Sequence, residues 1–358
     1  MYRDMVMRNI REISPGELEQ YITGLGEKKF RARQVDEWLW KKGAVSFDDM
    51  TNLSLDLRTR LGTDFTISRL GIQTIQVSRD GTHKFGFITG DNRILEGVII
   101  PADKRLTACI SSQIGCTLNC KFCATASLTR GRDLTVPEIF DQVYFMEDKA
   151  REISGNRLSN IVFMGMGEPL LNYDNVISAI ERISSPRGLA YSPRRITLST
   201  AGLVKEIKRL ADDGVPFNLA ISLHTANEEK RSHLMPVNRS NPLKELHEAI
   251  RYFYEKTGTR ITYEYLLLKG FNDSLEDAQE FAEFCRVSPC KINLIEYNEI
   301  KTGLFFRSDE SVTNRFLEFL KSKNLVVNIR RSRGSDIDAA CGQLAGRRDQ
   351  LPSDSSDG

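Results

Sequence analysis

The spacing of apolar residues changes character along this chain, and with it the elements the sequence predicts. In residues 14–25, 31–42 and 53–61 apolar side chains recur every three to four positions, the period of a helix with one buried face. Phe30, Val35, Trp38 and Leu39 fall largely on one such face and are expected to pack in a core. Weaker strand-like stretches lie around these helices, and Asp80-Gly81 is a dipeptide suited to a hairpin turn. From about residue 91 the pattern becomes short β-branched runs alternating with amphipathic stretches. Strands are expected at 106–113, 160–166, 195–200, 218–224, 260–268 and 291–298, and helices at 135–150, 174–183, 203–211, 242–255, 275–285 and 309–321. Repeated strand-then-helix units predict an α/β fold with a parallel sheet, open or closed into a barrel, whose chemistry sits at the C-terminal ends of the strands.

Three regions follow: an accessory region at 1–90 with a helical start, a core at 91–335, and a C-terminal loop and tail at 336–358. The run 326–332 is expected to add a last strand, and the polar stretch 347–358 to be disordered. The apolar share of 40% and charged share of 27% over 358 residues are those of an ordinary globular protein. No window approaches the roughly 18 to 20 apolar residues of a membrane span, and MYRDMVMRNIREIS is charged where a signal peptide is apolar, so a cytoplasmic location is expected. A net charge of +2 excludes binding of nucleic acid through bulk charge. Any RNA site must be a local patch, for which Lys28, Lys29, Arg31, Arg33, Lys41 and Lys42, or Arg330, Arg331 and Arg333, are candidates; a solvated face explains either run equally well.

The cysteines change the picture. There are seven, an odd number, and four of them fall between Cys109 and Cys123, which favours metal or redox chemistry over a disulfide framework. Cys116, Cys120 and Cys123 form a CxxxCxxC loop just after the first core strand, able to present three thiolates to one centre. A closed zinc site normally needs a fourth ligand, and the nearest histidines in sequence are His83 and His224; three thiolates on a four-iron cube leave one iron open to substrate. This loop, with Phe122 inside it and Gly165-Met166-Gly167-Glu168-Pro169 at the next strand end, resembles the radical S-adenosylmethionine (SAM) signature. That resemblance implies a [4Fe-4S] cluster on the three cysteines, SAM on its open iron, and Gly167 and Glu168 against the SAM amine. Ser199, Ser222, Leu223, His224 and Asn298, at later strand ends, are expected to line the SAM site; without the pattern each is simply a strand-end residue satisfying local backbone.

The likeness extends over nearly the whole chain. FRARQVDEWLWKKG, LEGVIIP, TACISSQIGCTLNCKFCAT, NIVFMGMGEPLLNYDNV, RRITLSTAG, MPVNRSNPLKEL and RGSDIDAACGQL closely resemble the dual-specificity RNA methyltransferases that methylate adenine C2 in 23S rRNA and in tRNA. The resemblance implies a partial (β/α)6 barrel with a small N-terminal helical domain. It also implies that Cys341 carries the methyl group, that Cys109 forms a transient disulfide with it, and that Glu96 accepts the C2 proton. One SAM methylates the cysteine and a second provides the radical. 23S rRNA and tRNA are the implied partners, with the accessory region 1–90 as the implied RNA-binding domain and an external electron donor such as flavodoxin or ferredoxin, and a monomer is expected. Ala126 stands where the family more often has glycine. Cys285, Cys290, His233 and His247 match no motif and are expected to be structural. The nearest alternative is C8 methylation of the same rRNA adenine; more distant ones are a glycyl-radical activase, which has no need of Cys109 and Cys341, and an RNA-binding module with a structural metal.

Overall fold

The computed structural model describes residues 7–103, 105–128, 131–300 and 303–345; the polar tail expected at 347–358 lies outside them. The chain opens with β1 (Arg8–Asn9), α1 (Pro15–Gly24), α2 (Phe30–Trp40), α3 (Leu55–Asp64) and β2 (Phe65–Thr66), the two short strands pairing in parallel. Local chemistry sets the helix starts. Ser14 caps α1 in a reciprocal capping box with Glu17, with Pro15 in the first turn, and Ser54 caps α3. Val35 and Leu39 are buried as the period predicts, but Phe30 is 46% exposed. It sits at the first residue of α2, beyond the reach of the core, and its ring instead carries the Arg31 guanidinium at 4.9 Å. Trp38 is only half-buried, with Lys42 Nζ over its ring at 4.1 Å.

A ten-stranded sheet follows. β3 (Gly71–Val77), β4 (His83–Ile88), β5 (Ile94–Ala102) and β6 (Arg105–Ile110) form an antiparallel meander. From β6 onward the strands run parallel: β7 (Asn160–Phe163), β8 (Ile196–Thr200), β9 (Asn218–Ser222), β10 (Ile261–Leu267), β11 (Cys290–Glu296) and β12 (Val327–Arg330), in sequential order. The connecting helices are α4 (Val136–Ser154), α5 (Tyr173–Ser184), α6 (Val204–Asp212), α7 (Glu228–Leu234), α8 (Leu243–Thr257), α9 (Leu275–Phe284) and α10 (Glu310–Ser322). This is the expected partial (β/α)6 barrel, six strand-to-helix units and a closing strand. It stays open, since β12 and β3 are the two sheet edges. The curl nonetheless brings Arg330 on β12 across to Met164, just past β7, at 3.6 Å.

Two features depart from the sequence-based expectation. The sheet runs unbroken across the expected boundary at residue 90, because β4 and β5 pair through six residue pairs. Glycines at 71, 86 and 97 interrupt the alternation of the meander and hide it from the pattern. The short helix α7 is the second departure. The N-terminal helices are fixed to the core by a buried ion pair: Arg11 donates to both oxygens of Asp141 on α4 at 2.9 and 2.7 Å, and neither side chain is exposed. Asp141 also accepts from Leu70 N–H, and the Arg11 guanidinium packs over Trp40 at 4.6 Å. Removing Arg11 leaves the buried Asp141 carboxylate with only the more distant Arg69 guanidinium, at 3.5 Å, to offset its charge. Arg11→Ala is therefore expected to cost about 3–5 kcal/mol, read as a lowered urea midpoint and early proteolysis of the N-terminal helices.

Candidate active site

The C-terminal ends of the parallel strands converge on an open lumen, and the segment 334–345, a strap, returns across it. β6 ends at Ile110, and the loop beyond it carries Cys116, Cys120 and Cys123, all half-buried free thiols. The loop is held on both sides. Lys121 N–H donates to Leu234 O at 3.0 Å, and Phe122 meets the His224 ring edge-on at 4.7 Å. The thiols lie close enough to disfavour one another's ionisation: burial first, then Cys123 and Cys116, push Cys120 well above the usual thiol range. Among the described residues no three His, Cys, Asp or Glu side chains form a ready single-ion site.

β7 gives way to the Gly165–Pro169 turn. Gly167 has φ +96°, and a Cβ there would lie 2.7 Å from Gln113 N, so the backbone can run here only without a side chain. Glu168 is buried and accepts from Ala201 N–H at 2.7 Å and Leu170 N–H at 3.1 Å; burial pushes its carboxyl up to about 7 despite those bonds. Ser199 and Ser222, on neighbouring strand ends, lie 3.3 Å apart through their hydroxyls. His224 takes a left-handed φ of +61° and is buried, which lowers its pKa to about 3. Its Nδ1 accepts from Leu266 N–H at 3.1 Å, so the ring is neutral with its proton on Nε2.

Sequence reasoning missed Arg231 on α7. It is fully buried beneath these strand ends, donating to Leu223 O at 3.3 Å, Ala201 O at 2.7 Å and Asn238 Oδ1 at 2.6 Å. It thereby satisfies carbonyls that would otherwise be orphaned where β8 and β9 end. Nothing in the sequence around α7 announces this; a seven-residue helix offers too few turns to show a face.

The strap brings the distant residues together. Gly334 N–H donates to Asp80 at 2.9 Å and Ser78 Oγ to Asp336 at 2.6 Å, both at the β3–β4 hairpin. Asn298, expected at the SAM site, donates to Cys341 O at 3.3 Å. Just past the cysteine, Ala124 N–H donates to Gly342 O at 2.7 Å and Thr125 Oγ1 to Leu344 O at 2.7 Å, so the cysteine loop itself holds the strap. Cys341 is solvent-accessible at the lumen mouth, yet ringed by protein; lost hydration raises its pKa, opposed by the Arg330 guanidinium. Cys109 lies on the β6 row between Val98 and Val162, buried, its thiol pushed up to about 12 first by burial and then by the nearby Cys341. Arg330 is set apart from the rest of its basic run, with 37% of its side chain exposed. It faces the lumen, 3.4 Å from Glu264, while Arg331 and Arg333 stay exposed. Glu96 sits in the strand β5, paired with Lys84 at 2.8 Å and accepting from Ala345 N–H at 2.8 Å.

Residues 110–285 match the family model for the radical SAM superfamily, and residues 8–67 match that for the ribosomal RNA large subunit methyltransferase N-terminal domain. A probable dual-specificity RNA methyltransferase RlmN of Christiangramia forsetii is 50% identical over 95% of this chain and 97% of its own length. The dual-specificity RNA methyltransferase RlmN of Geobacter sulfurreducens is 45% identical over 96% and 94%. The chain belongs to the RlmN family of dual-specificity RNA methyltransferases. A crystal structure of a radical SAM methyltransferase from Sphaerobacter thermophilus superposes with a TM-score of 0.89 at 39% identity, covering 95% of this RlmN-family chain and all of that one. Membership in the radical SAM superfamily brings a [4Fe-4S] cluster and SAM. The site fits them: three soft thiols crowd one loop beside a glycine turn that leaves backbone open. In this RlmN-family chain Gly167→Ala forces a strained backbone, expected to cost about 1–3 kcal/mol. It should weaken SAM binding, measured by equilibrium dialysis on cluster-loaded protein, by about tenfold.

Proposed function

We propose that this chain methylates C2 of an adenosine in 23S rRNA and in tRNA, carrying the methyl group on Cys341. The observation that carries the reading is the return of Cys341 to the lumen beside Cys109, at strand ends that already gather the cluster loop and the glycine turn. Adenine C2 lies between two ring nitrogens and is too electron-poor to attack a SAM methyl group, so a radical route is needed. Cys116, Cys120 and Cys123 would hold the cluster, which would supply the electron for reductive cleavage of SAM to methionine and a 5′-deoxyadenosyl radical.

The chain's own residues divide the remaining work. Gly167 and Glu168 hold the SAM amine, while Ser199, Ser222, Leu223, His224 and Asn298 line its pocket. Neutral His224 offers an Nε2–H donor without adding charge beside a sulfonium. The Cys341 sulfur accepts a methyl group from one SAM; loss of a hydrogen atom from that methyl to the radical made from a second lets the carbon bond to C2. Glu96 takes the C2 proton. The carbon–sulfur bond then breaks as Cys109 gives up its proton and joins Cys341 in a disulfide; the freed methylene carbon takes up a proton to become methyl, the one unpaired electron would return to the cluster, and two electrons and two protons, the electrons from an external donor such as flavodoxin or ferredoxin, restore the thiols. Burial keeps Cys109 protonated and unreactive until that partner arrives.

The target base must leave its stack to reach Cys341, which favours single-stranded or loop RNA. Phe30 with Arg31 on α2, and Trp38 with Lys42 just past its C-terminus, present aromatic and cationic groups together, and Lys28, Lys29, Arg33 and Lys41 are exposed beside them. The N-terminal region is the RNA-binding part on this reading.

Anaerobic incubation of cluster-loaded protein with SAM, reductant and each RNA should yield 2-methyladenosine by nucleoside mass spectrometry; 8-methyladenosine would move the protein to the C8 reaction. Cys341→Ala should abolish product, and Cys109→Ala should trap RNA covalently on the protein. Neutralising Lys28, Lys29, Arg31 and Arg33 together should weaken RNA binding and flatten its salt dependence, by up to about three in log–log slope. An unchanged slope would place the RNA elsewhere.

A further inference from the structure

Lys84 has no assigned part in the reaction, yet it is a buried cation aimed at the proton acceptor. It pairs across the sheet with Val98, which in turn pairs with Cys109, so Lys84, Val98 and Cys109 form one cross-strand row. Glu96, two residues before Val98, projects from the same face. Lys84 and Glu96 are 4% and 5% exposed, and their charges meet at 2.8 Å. A lysine this deep is retained only with a partner, since an unpaired ammonium there is strongly disfavoured.

The carboxylate's two oxygens do different things. Lys84 Nζ binds Oε1, while Oε2 accepts from Ala345 N–H, four residues past Cys341. Lys84 Nζ also lies 3.4 Å from Ile337 O, four residues before Cys341. Beyond the cysteine the cluster loop grips strap carbonyls at Gly342 and Leu344, whereas Glu96 grips a strap amide. The ion pair therefore touches the strap on both sides of the methyl-carrying residue.

We propose that Lys84 is a positioning residue for methyl transfer: it fixes Glu96 so that one carboxylate both faces the reacting base and anchors the strap that carries Cys341. The proposal rests on the roles given above to Glu96 and Cys341. Its consequence is a coupling. When Glu96 takes the C2 proton, the charge that binds Lys84 is neutralised and the Ala345 hydrogen bond changes from charge-assisted to neutral. The strap loosens at the step when Cys341 must leave the product carbon and reach Cys109.

The first test needs no turnover. Amide hydrogen exchange across 334–345 in the purified full chain should rise about tenfold at Ala345 and its neighbours in Lys84→Met, the loss of a charge-supported hydrogen bond. Lys84→Arg should restore most of the protection. Ser78→Ala, which removes one of the two hydrogen bonds to Asp336 and one to Asp80 at the far end of the strap, should raise exchange near residues 334–336 and leave Ala345 protected. If Lys84→Met does not fold, Lys84→Gln, which keeps a donor without the charge, makes the same test. The second readout is chemical: in a single turnover the Lys84 variant should still acquire a methyl group on Cys341 but accumulate RNA–protein adduct, as a merely weakened fold would not. Unchanged exchange at Ala345, or normal adduct release, overturns the proposal. If Glu96→Gln releases adduct normally while Lys84→Met still frees the strap, the anchor stands and the assignment of Glu96 as proton acceptor fails instead.

Discussion

The Lys84–Glu96 ion pair lies within the sheet's inner face, where little water reaches either charge, and the C-terminal strap is fastened to it through Ala345 N–H. Such a pair adds little net stability, because the desolvation of two charges offsets most of their attraction. Its value is geometric. A buried pair permits one arrangement of its partners, and the partners here are the strand beside Cys109 and the segment bearing Cys341. A thiol brought from the far end of the chain has no local structure to place it, so its position is only as defined as its tethers.

The other half of the site is set by the parallel strands. Their C-terminal ends leave carbonyls without strand partners, and Arg231 answers several of them from below. On the function proposed above, the strand-end residues Gly167, Glu168, Ser199, Ser222 and His224 are thereby left to serve SAM. The cysteine loop joins the two halves, since Ala124 and Thr125, directly after Cys123, hold Gly342 and Leu344 of the strap.

Much of this was legible in the sequence. Each expected core strand and helix appears, because apolar period and β-branched runs report burial directly, and the strand-end residues follow from the topology. Cys109, Cys341 and Glu96 could be assigned only through the family resemblance, since a single cysteine or carboxylate carries no spacing. Some features were illegible for physical reasons. The first strands of the meander are interrupted by glycines, Phe30 obeys the helical period but falls at a helix end, and Arg330 reads as one of a basic run although sheet curl turns it inward. Lys84 and Arg231 are charged residues in the interior, and sequence alone gives no sign that a charge is paired rather than solvated.

The β3–β4 hairpin carries none of the candidate site residues, yet it is tied to the segment that bears Cys341. Hairpin tips are ordinarily where chains accept insertions and drift in sequence, because nothing else depends on them. This tip is a socket: Asp80 and Ser78 receive Gly334 and Asp336, and the turn through Gly81 at φ +83° sets their spacing. Lengthening it by a residue would leave the barrel intact and yet shift the start of the strap, so an apparently peripheral turn carries a length constraint on the segment that bears Cys341.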